Sequence, residues 1–557
     1  MDAEYDGGDK ARLVQKERPE VSESDGAQQE GGTFQTKIGL ALSCIGCVVG
    51  TGNIWRFPRI LANNSGQKGC LQFLLIWVIF LFIWSIPMLI IEYSVGRFTK
   101  KSTILSFQKM IGVENMWGGA WIALVTLGIA AYYSVIVGWC LYYLFFFIAN
   151  ELPETFVESN SIFYNFSEDS FFPVLCHFVA IAFGAFSVAW GVKSIELANC
   201  VVVPVFLVLL LFTFIWSMTL ENAGAGIKFM FSPDWEQFKQ PGLWVDAVTQ
   251  NAFDTGAGSG LFISYAAYMT SKNGIVRYGT LVPLCNNVIS LLCGMVTFST
   301  VFSSELKNGS STEEIVKLLQ QNGPGNTGLT FVWMPILYNK INGGRVFMVF
   351  FFFSLLLAGF SSLVAQLELF VHNMKDFGVS RKIAAPVVAL VVFFTGLGSA
   401  LSLNFLVNQD FVWGFGLLLS GMALQFLVIR YGIHKFREEL VNKFSESDWP
   451  LPVIWEWIVK FIAPLEAVTL IVWWAVTTIM NSDPWYGFST ESFMITIAQW
   501  SGFFLLILLL NFLYVKYWRH LIPIPGDVTE LPLPPSPEGN EYKDGTYRTF
   551  GESETSQ

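Results

Sequence analysis

The chain has 557 residues, of which 53% are hydrophobic and only 14% charged, and its mean hydropathy is +0.50. A soluble domain averages about 25% charged residues, so this composition excludes an ordinary water-soluble enzyme or binding module. Nine of the ten excess negative charges fall in residues 1–30 and 518–557, which leaves no basic face for nucleic acid.

Both ends are polar and rich in Gly, Ser or Pro, as in "LPLPPSPEGNE". They predict disordered tails, 1–33 and 518–557, around a membrane domain at 34–517. The N-terminus lacks the basic-then-apolar order of a signal peptide, so the first membrane helix is expected to do the targeting. Apolar runs near 20 residues then recur, each long enough to cross a hydrocarbon core of about 30 Å. Twelve spans are expected, at 37–60, 70–97, 118–149, 171–192, 197–220, 242–269, 275–304, 344–373, 382–403, 409–432, 453–480 and 491–517. Lys and Arg cluster in the even-numbered connections and are absent from 150–170, 404–408 and 481–490. This bias places both termini in the cytoplasm. The Asn165 and Asn308 sequons then fall outside as candidate glycosylation sites. The outer segment 305–343, with "NGPGNTG", is expected to form a short re-entrant cap. The eight cysteines lie almost entirely in apolar segments, with no disulfide framework or zinc spacing.

Two spans are interrupted. The first reads "GCVVGTGNIWRFP", with Gly46, Gly50 and Gly52 beside Asn53 and Arg56. The sixth reads "TQNAFDTGAGSGLFISYAAY", with glycines at 256, 258 and 260. A break at mid-membrane frees carbonyls and amides that lipid cannot satisfy, so it is tolerated where it lines a polar site. Small residues that merely permit close helix packing explain one such cluster. Paired interruptions at equivalent positions of two five-span halves point instead to the binding site of a secondary transporter.

"GTGNIWRFP", "AAYYSVIVGW" in the third span and "LLAGFSS" in the eighth resemble the neurotransmitter:sodium symporter family, over nearly all of 34–517. The resemblance implies an all-α polytopic fold: a 5+5 inverted-repeat core with discontinuous first and sixth helices, plus two peripheral helices. It also implies sodium-coupled import of a small solute at the plasma membrane, with no enzymatic chemistry.

By motif, one sodium site uses Val48, Asn53, Asp254 and Asn286. A second uses carbonyls of Gly46, Val49 and Ala358 with hydroxyls of Ser361 and Ser362. A tenfold sodium gradient supplies about 1.4 kcal/mol per ion. Each charge moving inward adds about 2.3 kcal/mol per 100 mV.

Monoamine carriers of this family place an Asp where this chain has Gly50, so the substrate is expected to bring its own carboxylate. In amino-acid carriers that carboxylate meets a third-span Tyr, here Tyr133. The remaining pocket is expected from Cys47, Val48, Gly52, Ile129, Phe253, Gly256, Ser259, Ser362 and Gln366, more polar and roomier than one for leucine. Arg56 and Asp410 match an outer gate, bridged by water, with Phe253 as a lid. Tyr265, Tyr268, Glu368 and Asp376 match inner-gate positions. The N-terminal Arg that usually completes the inner gate is missing from "GGTFQTK", which leaves Lys37 as its replacement. Outside these motifs, His177 is expected as a satisfied core residue and Glu92 as an internal fixture of the second helix. Glu456 and Glu466 are expected to pair at an oligomer or helix contact.

Asp254 departs most from the family pattern. Animal members have a small hydroxyl residue there and bind chloride. Chloride-independent bacterial members can instead carry a Glu at the position of Ser290. A carboxylate at Asp254 would repel chloride and supply that charge itself, ionised with sodium bound and protonated on the empty return. Chloride is therefore expected not to be required. The plainer reading is an Asp that caps the half-helix after the break. The leading expectation is a sodium-coupled amino-acid symporter. The alternatives are an osmolyte or non-α amino acid such as taurine, betaine or GABA as cargo, or a non-transporting sensor.

Overall fold

The computed structural model describes residues 32–519 apart from 321, 322, 324, 325, 482–484 and 488–491. Apart from their innermost residues, the expected tails 1–33 and 518–557 lie outside the described residues. The described part is helical throughout. Its principal helices are α1 (Lys37–Val48), α2 (Gly52–Asn63), α3 (Leu71–Thr99), α4 (Val113–Ala149) and α5 (Phe172–Val188). They continue with α6 (Val192–Met218), α7 (Pro241–Thr255), α8 (Leu261–Ala266), α9 (Ile275–Lys307) and α10 (Gly344–Asp376). Last come α11 (Arg381–Leu401), α12 (Leu403–Tyr431), α13 (Ile454–Asn481) and α14 (Phe493–Trp518).

These account for the twelve expected spans. Nine described helices are individually long and apolar enough to cross a membrane. The other three fall short for identifiable reasons. The first span is broken into α1 and α2 with a 45° bend. The sixth is split into α7, of 15 residues, and α8, of 6. The fourth, α5, has 17 residues and follows a helix at Phe156–Ser167 across a 67° bend. That earlier helix stands where a plain loop was expected. The outer segment 305–343 folds back as helices Thr312–Gln320 and Met334–Asn339, close to the anticipated cap.

Burial orders the helices into core and periphery. The most apolar stretch of α4 is 78% buried, because α4 packs at once against α5, α10, α11 and α12. The corresponding stretches of α13 and α14 are only 22% and 11% buried, which makes them the two peripheral helices. The core consists of two five-span halves, α1–α6 and α7–α12, each opening on its broken span.

α3 holds the second break from both sides. Ahead of the break, Asn251 of α7 donates to the Trp77 carbonyl at 2.7 Å and accepts from the Ser85 hydroxyl at 2.6 Å. Beyond it, the fully buried Glu92 accepts from the Gly258 amide at 2.9 Å and the Phe262 amide at 3.1 Å. Glu92 therefore reaches across to another span and does not serve its own helix. The break itself needs glycine: Gly256, Gly258 and Gly260 have φ of 68°, 92° and 75°.

A Cβ on Gly258 would lie 2.8 Å from the Leu417 carbonyl oxygen, in a backbone region that L-residues rarely adopt. Gly258→Ala is therefore expected to cost roughly 1–3 kcal/mol. A thermal midpoint equal to wild type in the purified variant would contradict this packing.

Candidate functional site

The two breaks face each other across one buried centre. In the first, Asn53 Oδ1 accepts from the Gly50 amide at 2.8 Å, and the Tyr133 hydroxyl on α4 accepts from the Thr51 amide at 3.0 Å. The freed amides are thus met by protein groups. The carbonyls are not met in the same way. The Ser362 hydroxyl on α10 lies 3.2 Å from both the Gly46 and the Val49 carbonyl oxygens, and its single hydrogen cannot serve both fully. Ser361 is directed to the Ala358 carbonyl at 2.9 Å. All five groups expected at the second ion site therefore converge where α1 ends against α10.

The first expected ion site is assembled around Asn286. Its amide atom facing the breaks stands 3.3 Å from the Val48 carbonyl and 3.2 Å from that of Asp254. As a nitrogen it would serve both carbonyls but meet Asn53 Nδ2 donor to donor at 2.8 Å. As an oxygen it accepts from Asn53 and leaves three oxygens facing one another without a hydrogen between them. Three oxygens at that spacing are a chemical match for a small hard cation. The C-terminal, negative ends of α1 and α7 also point here, and they favour positive charge.

Asp254 sits on the last turn of α7, so the expectation that it caps the half-helix after the break is corrected: the N-cap of α8 is Gly260. Its Oδ1 accepts from Gln250 at 2.7 Å and its Oδ2 from Ser290 at 3.0 Å. Ser290 in turn accepts from Asn53 Nδ2 at 2.7 Å, and Gln250 accepts from Arg56 at 2.5 Å. One continuous chain of polar contacts thus joins Arg56 to the Asn53–Asn286 pair.

Beside this cluster lies a cavity of about 40 Å³. Cys47, Val48, Gly50, Gly52, Ile129, Tyr133, Phe253, Gly256, Ser259, Ser362 and Gln366 all line it, as the sequence leads one to expect. Thr126, Leu261 and Leu417 also line it and were not anticipated. In this arrangement the cavity has room for only a few waters. A Cβ on Gly50 would lie 2.3 Å from the Tyr133 hydroxyl oxygen, so bare backbone is required there. The Gln366 Oε1 is buried without a hydrogen-bond partner.

Phe253 roofs the cavity with the Arg56 guanidinium 4.8 Å above its ring. Above it, Arg56 pairs with Asp410 at 3.4 Å directly, where a water bridge was expected. Arg59, unforeseen, pairs with the same carboxylate at 3.1 Å and donates to the Asn326 carbonyl at 2.9 Å.

Below the cavity, Glu368 is fully buried and accepts from Tyr268 at 2.7 Å and from both terminal nitrogens of Arg381, each at 2.7 Å. Arg381, the first residue of α11, thus supplies the cation missing from the N-terminal segment. Lys37 does not: it is exposed and contributes to a separate cavity. Asp376 engages the α3–α4 connection, accepting from the Ser102 amide at 2.5 Å. The N-terminal segment is instead tied down by Glu196 of α6. That carboxylate accepts from the Gln35 and Thr36 amides at 2.7 and 3.0 Å and from the Thr36 hydroxyl at 2.9 Å. Phe34 packs edge-on against Tyr265, their centroids 6.1 Å apart.

Other buried polar groups have plainer positions. His177 is 3.2 Å from the Phe393 carbonyl through Nε2, while its Nδ1 has no partner. Glu456 bonds Arg437 at 2.6 Å and does not pair with Glu466, whose carboxylate oxygens have no hydrogen-bond partner in the described structure. Asn165 and Asn308 are both exposed.

An all-helical membrane core, with two broken spans meeting at an occluded polar cavity, defines a secondary transporter. The model of the sodium:neurotransmitter symporter family matches residues 31–166 and 168–517, and the chain belongs to that family. An uncharacterized sodium-dependent transporter of Methanocaldococcus jannaschii is 29% identical, over 81% of this chain and 91% of its own. The human sodium- and chloride-dependent taurine transporter is 26% identical, over 68% of this chain and 67% of its own. A crystal structure of MhsT in complex with L-phenylalanine superposes with a TM-score of 0.68 at 28% identity, covering 79% of this chain and 99% of that one. The protein is therefore a sodium-coupled symporter and not an enzyme.

Removing Arg381 would leave Glu368 buried beside a single tyrosine hydroxyl. Arg381→Ala is expected to destabilise the fold by about 3–5 kcal/mol, whereas Arg381→Met with Glu368→Met recovers most of that loss. Thermal unfolding of the purified variants checks this. Equal midpoints for the single variant and wild type would show that the pair contributes nothing.

Proposed function

We propose that the protein imports an amino acid across the plasma membrane by alternating access, driven by two sodium ions and without chloride. The supporting observation is the cluster of Val48, Asp254 and Asn286 oxygens beside a cavity that also receives the Tyr133 hydroxyl. A cation there lacks one partner on the cavity side, which a substrate carboxylate would supply. The Tyr133 hydroxyl already accepts from Thr51, so its own hydrogen is available to that carboxylate. The N-terminal ends of α2 and α8 add favourable dipoles for an anion. The substrate amine then meets backbone carbonyls near the breaks, and its side chain extends toward Ser259 and the unpartnered Gln366 Oε1. The second ion binds between the Gly46, Val49 and Ala358 carbonyls and the Ser361 and Ser362 hydroxyls.

Closure follows the charge pairs on either side. Arg56 and Arg59 with Asp410 close the outer path over Phe253. Arg381 and Tyr268 with Glu368, and Glu196 with the N-terminal segment, close the inner one. The membrane domain spans 34–517, with both termini cytoplasmic and Asn165 and Asn308 outside.

Reconstituted protein is expected to take up a labelled amino acid only with an inward sodium gradient, in a panel that includes taurine, betaine and GABA. Asn53→Ala is expected to abolish that uptake while leaving a monodisperse, folded protein. Sodium-independent accumulation, or near-normal uptake and sodium affinity in Asn53→Ala, would overturn the ion assignment. Binding without any accumulation would favour a sensor.

Asp254 occupies the position from which a chloride ion would face Gln250 and Ser290, and its carboxylate already takes both their hydrogens. Replacing chloride with gluconate is therefore expected to leave wild-type uptake intact, while Asp254→Ser acquires chloride dependence. Collapse of wild-type uptake in gluconate would refute this assignment.

A further inference from the structure

A second cavity, of about 270 Å³, opens between α1 and the start of α9 and shares no lining residue with the transport cavity. Lys37 on α1, Lys272 in the α8–α9 connection and Arg277 on α9 all line it, and all three are exposed. Among the described residues no carboxylate forms an ion pair with any of them. The nearby Asp448 is already engaged, accepting from the amides of Val276 at 2.8 Å, Arg277 at 3.1 Å and Trp449 at 2.8 Å. Arg277 is further held by Trp449, 5.9 Å from its ring centroid. Apart from Asn273 and Tyr278 the other lining residues are apolar, with Ile45 from α1 and Leu281 from α9. Leu281 is 42% exposed and Val288, two turns further along the same helix, is 58% exposed, so this wall continues onto the outer surface of α9.

A general excess of basic residues on one side of a membrane explains their number. It does not explain why three of them share one cavity whose floor is apolar and open to the side. We propose that this cavity seats one anionic phospholipid of the leaflet on the N-terminal side, its phosphate among Lys37, Lys272 and Arg277 and an acyl chain against Ile45 and Leu281. A free phosphate would use the cations but leave the apolar wall bare. A neutral lipid would use the wall and leave the cations unmatched. The seat has a mechanical meaning as well. α1 carries the Gly46 and Val48 carbonyls and α9 carries Asn286 and Ser290, so a lipid bridging the two favours the spacing seen here over any in which they part. Anionic lipid therefore tunes the transport rate without touching ion or substrate.

Native mass spectrometry of the full-length protein, offered equal phosphatidylglycerol and phosphatidylcholine, tests the binding. Each juxtamembrane cation contributes a preference of roughly fivefold, so wild type is expected to retain phosphatidylglycerol at least fivefold over phosphatidylcholine. The Lys37→Gln, Lys272→Gln, Arg277→Gln triple variant is expected to fall to within about twofold, on this same scale of preference. The charge-conserving Lys37→Arg, Lys272→Arg, Arg277→Lys variant should keep the preference. Leu281→Asn, which leaves every cation in place, should lower total retention. Absence of preference in wild type, unchanged retention in the triple variant, or unchanged retention in Leu281→Asn would each overturn the proposal. Displacement of the lipid by glycerol 3-phosphate would do so too, by showing a phosphate site in place of a lipid seat. These binding readouts do not depend on which solute is carried. In liposomes, uptake by wild type should differ between the two lipids, and uptake by the triple variant should not.

Discussion

Hydrocarbon gives a broken helix nothing to bond with, and that constraint organises this molecule. Each break frees amides and carbonyls that must find partners inside the protein. The amides find them: Gly50 bonds Asn53, Thr51 bonds Tyr133, and Gly258 and Phe262 bond Glu92. The carbonyls of Gly46 and Val49 share one hydroxyl hydrogen, and those of Val48 and Asp254 face the Asn286 amide. Donors are covered and acceptors are left in excess. An excess of inward-facing oxygens, away from water and near the negative ends of two half-helices, is an electrostatic demand for cations. The two sodium ions proposed above would meet that demand without any carboxylate cage.

The same economy applies to the charges above and below the cavity. Asp410 and Glu368 are almost fully buried, and each is held by Arg, a residue that stays charged and bonds through a planar fork. A buried carboxylate of this kind is tolerable only while its partners are in place. Separating either pair must therefore let water in.

Much of this was legible in the sequence because it is local. Glycines beside Asn in an apolar run announce a break, and hydropathy alone placed all twelve spans to within five residues at either end, except the tenth, which starts at Leu403 where 409 was expected. The cavity lining also followed from the motifs. What escaped is long-range. Arg381 meets Glu368 from the far side of a turn, Glu196 captures amides some 160 positions away, and Glu92 serves a break 166 positions downstream. No periodicity encodes such partners, and a buried carboxylate in a sequence says only that some partner exists. The expectation for Lys37 failed for that reason: it assigned the nearest cation in sequence to a role that the fold gives to one 13 positions beyond Glu368.

The bonds made by α3 also set where the molecule can bend. Trp77 and Ser85 grip the second broken span ahead of its gap, and Glu92 grips it beyond, so α3 acts as a splint along that whole fracture. Across the first gap α9 packs against both half-helices, but its side-chain hydrogen bonds, to Asn286 and Ser290, come from Asn53 of α2. α1 is fastened at its far end to α6 through Glu196, while α2 is fastened through Arg59 to α12. The two fractures look alike in sequence, yet one is a set bone and the other a joint. Within the alternating access proposed above, a swing of a half-helix would fall to α1.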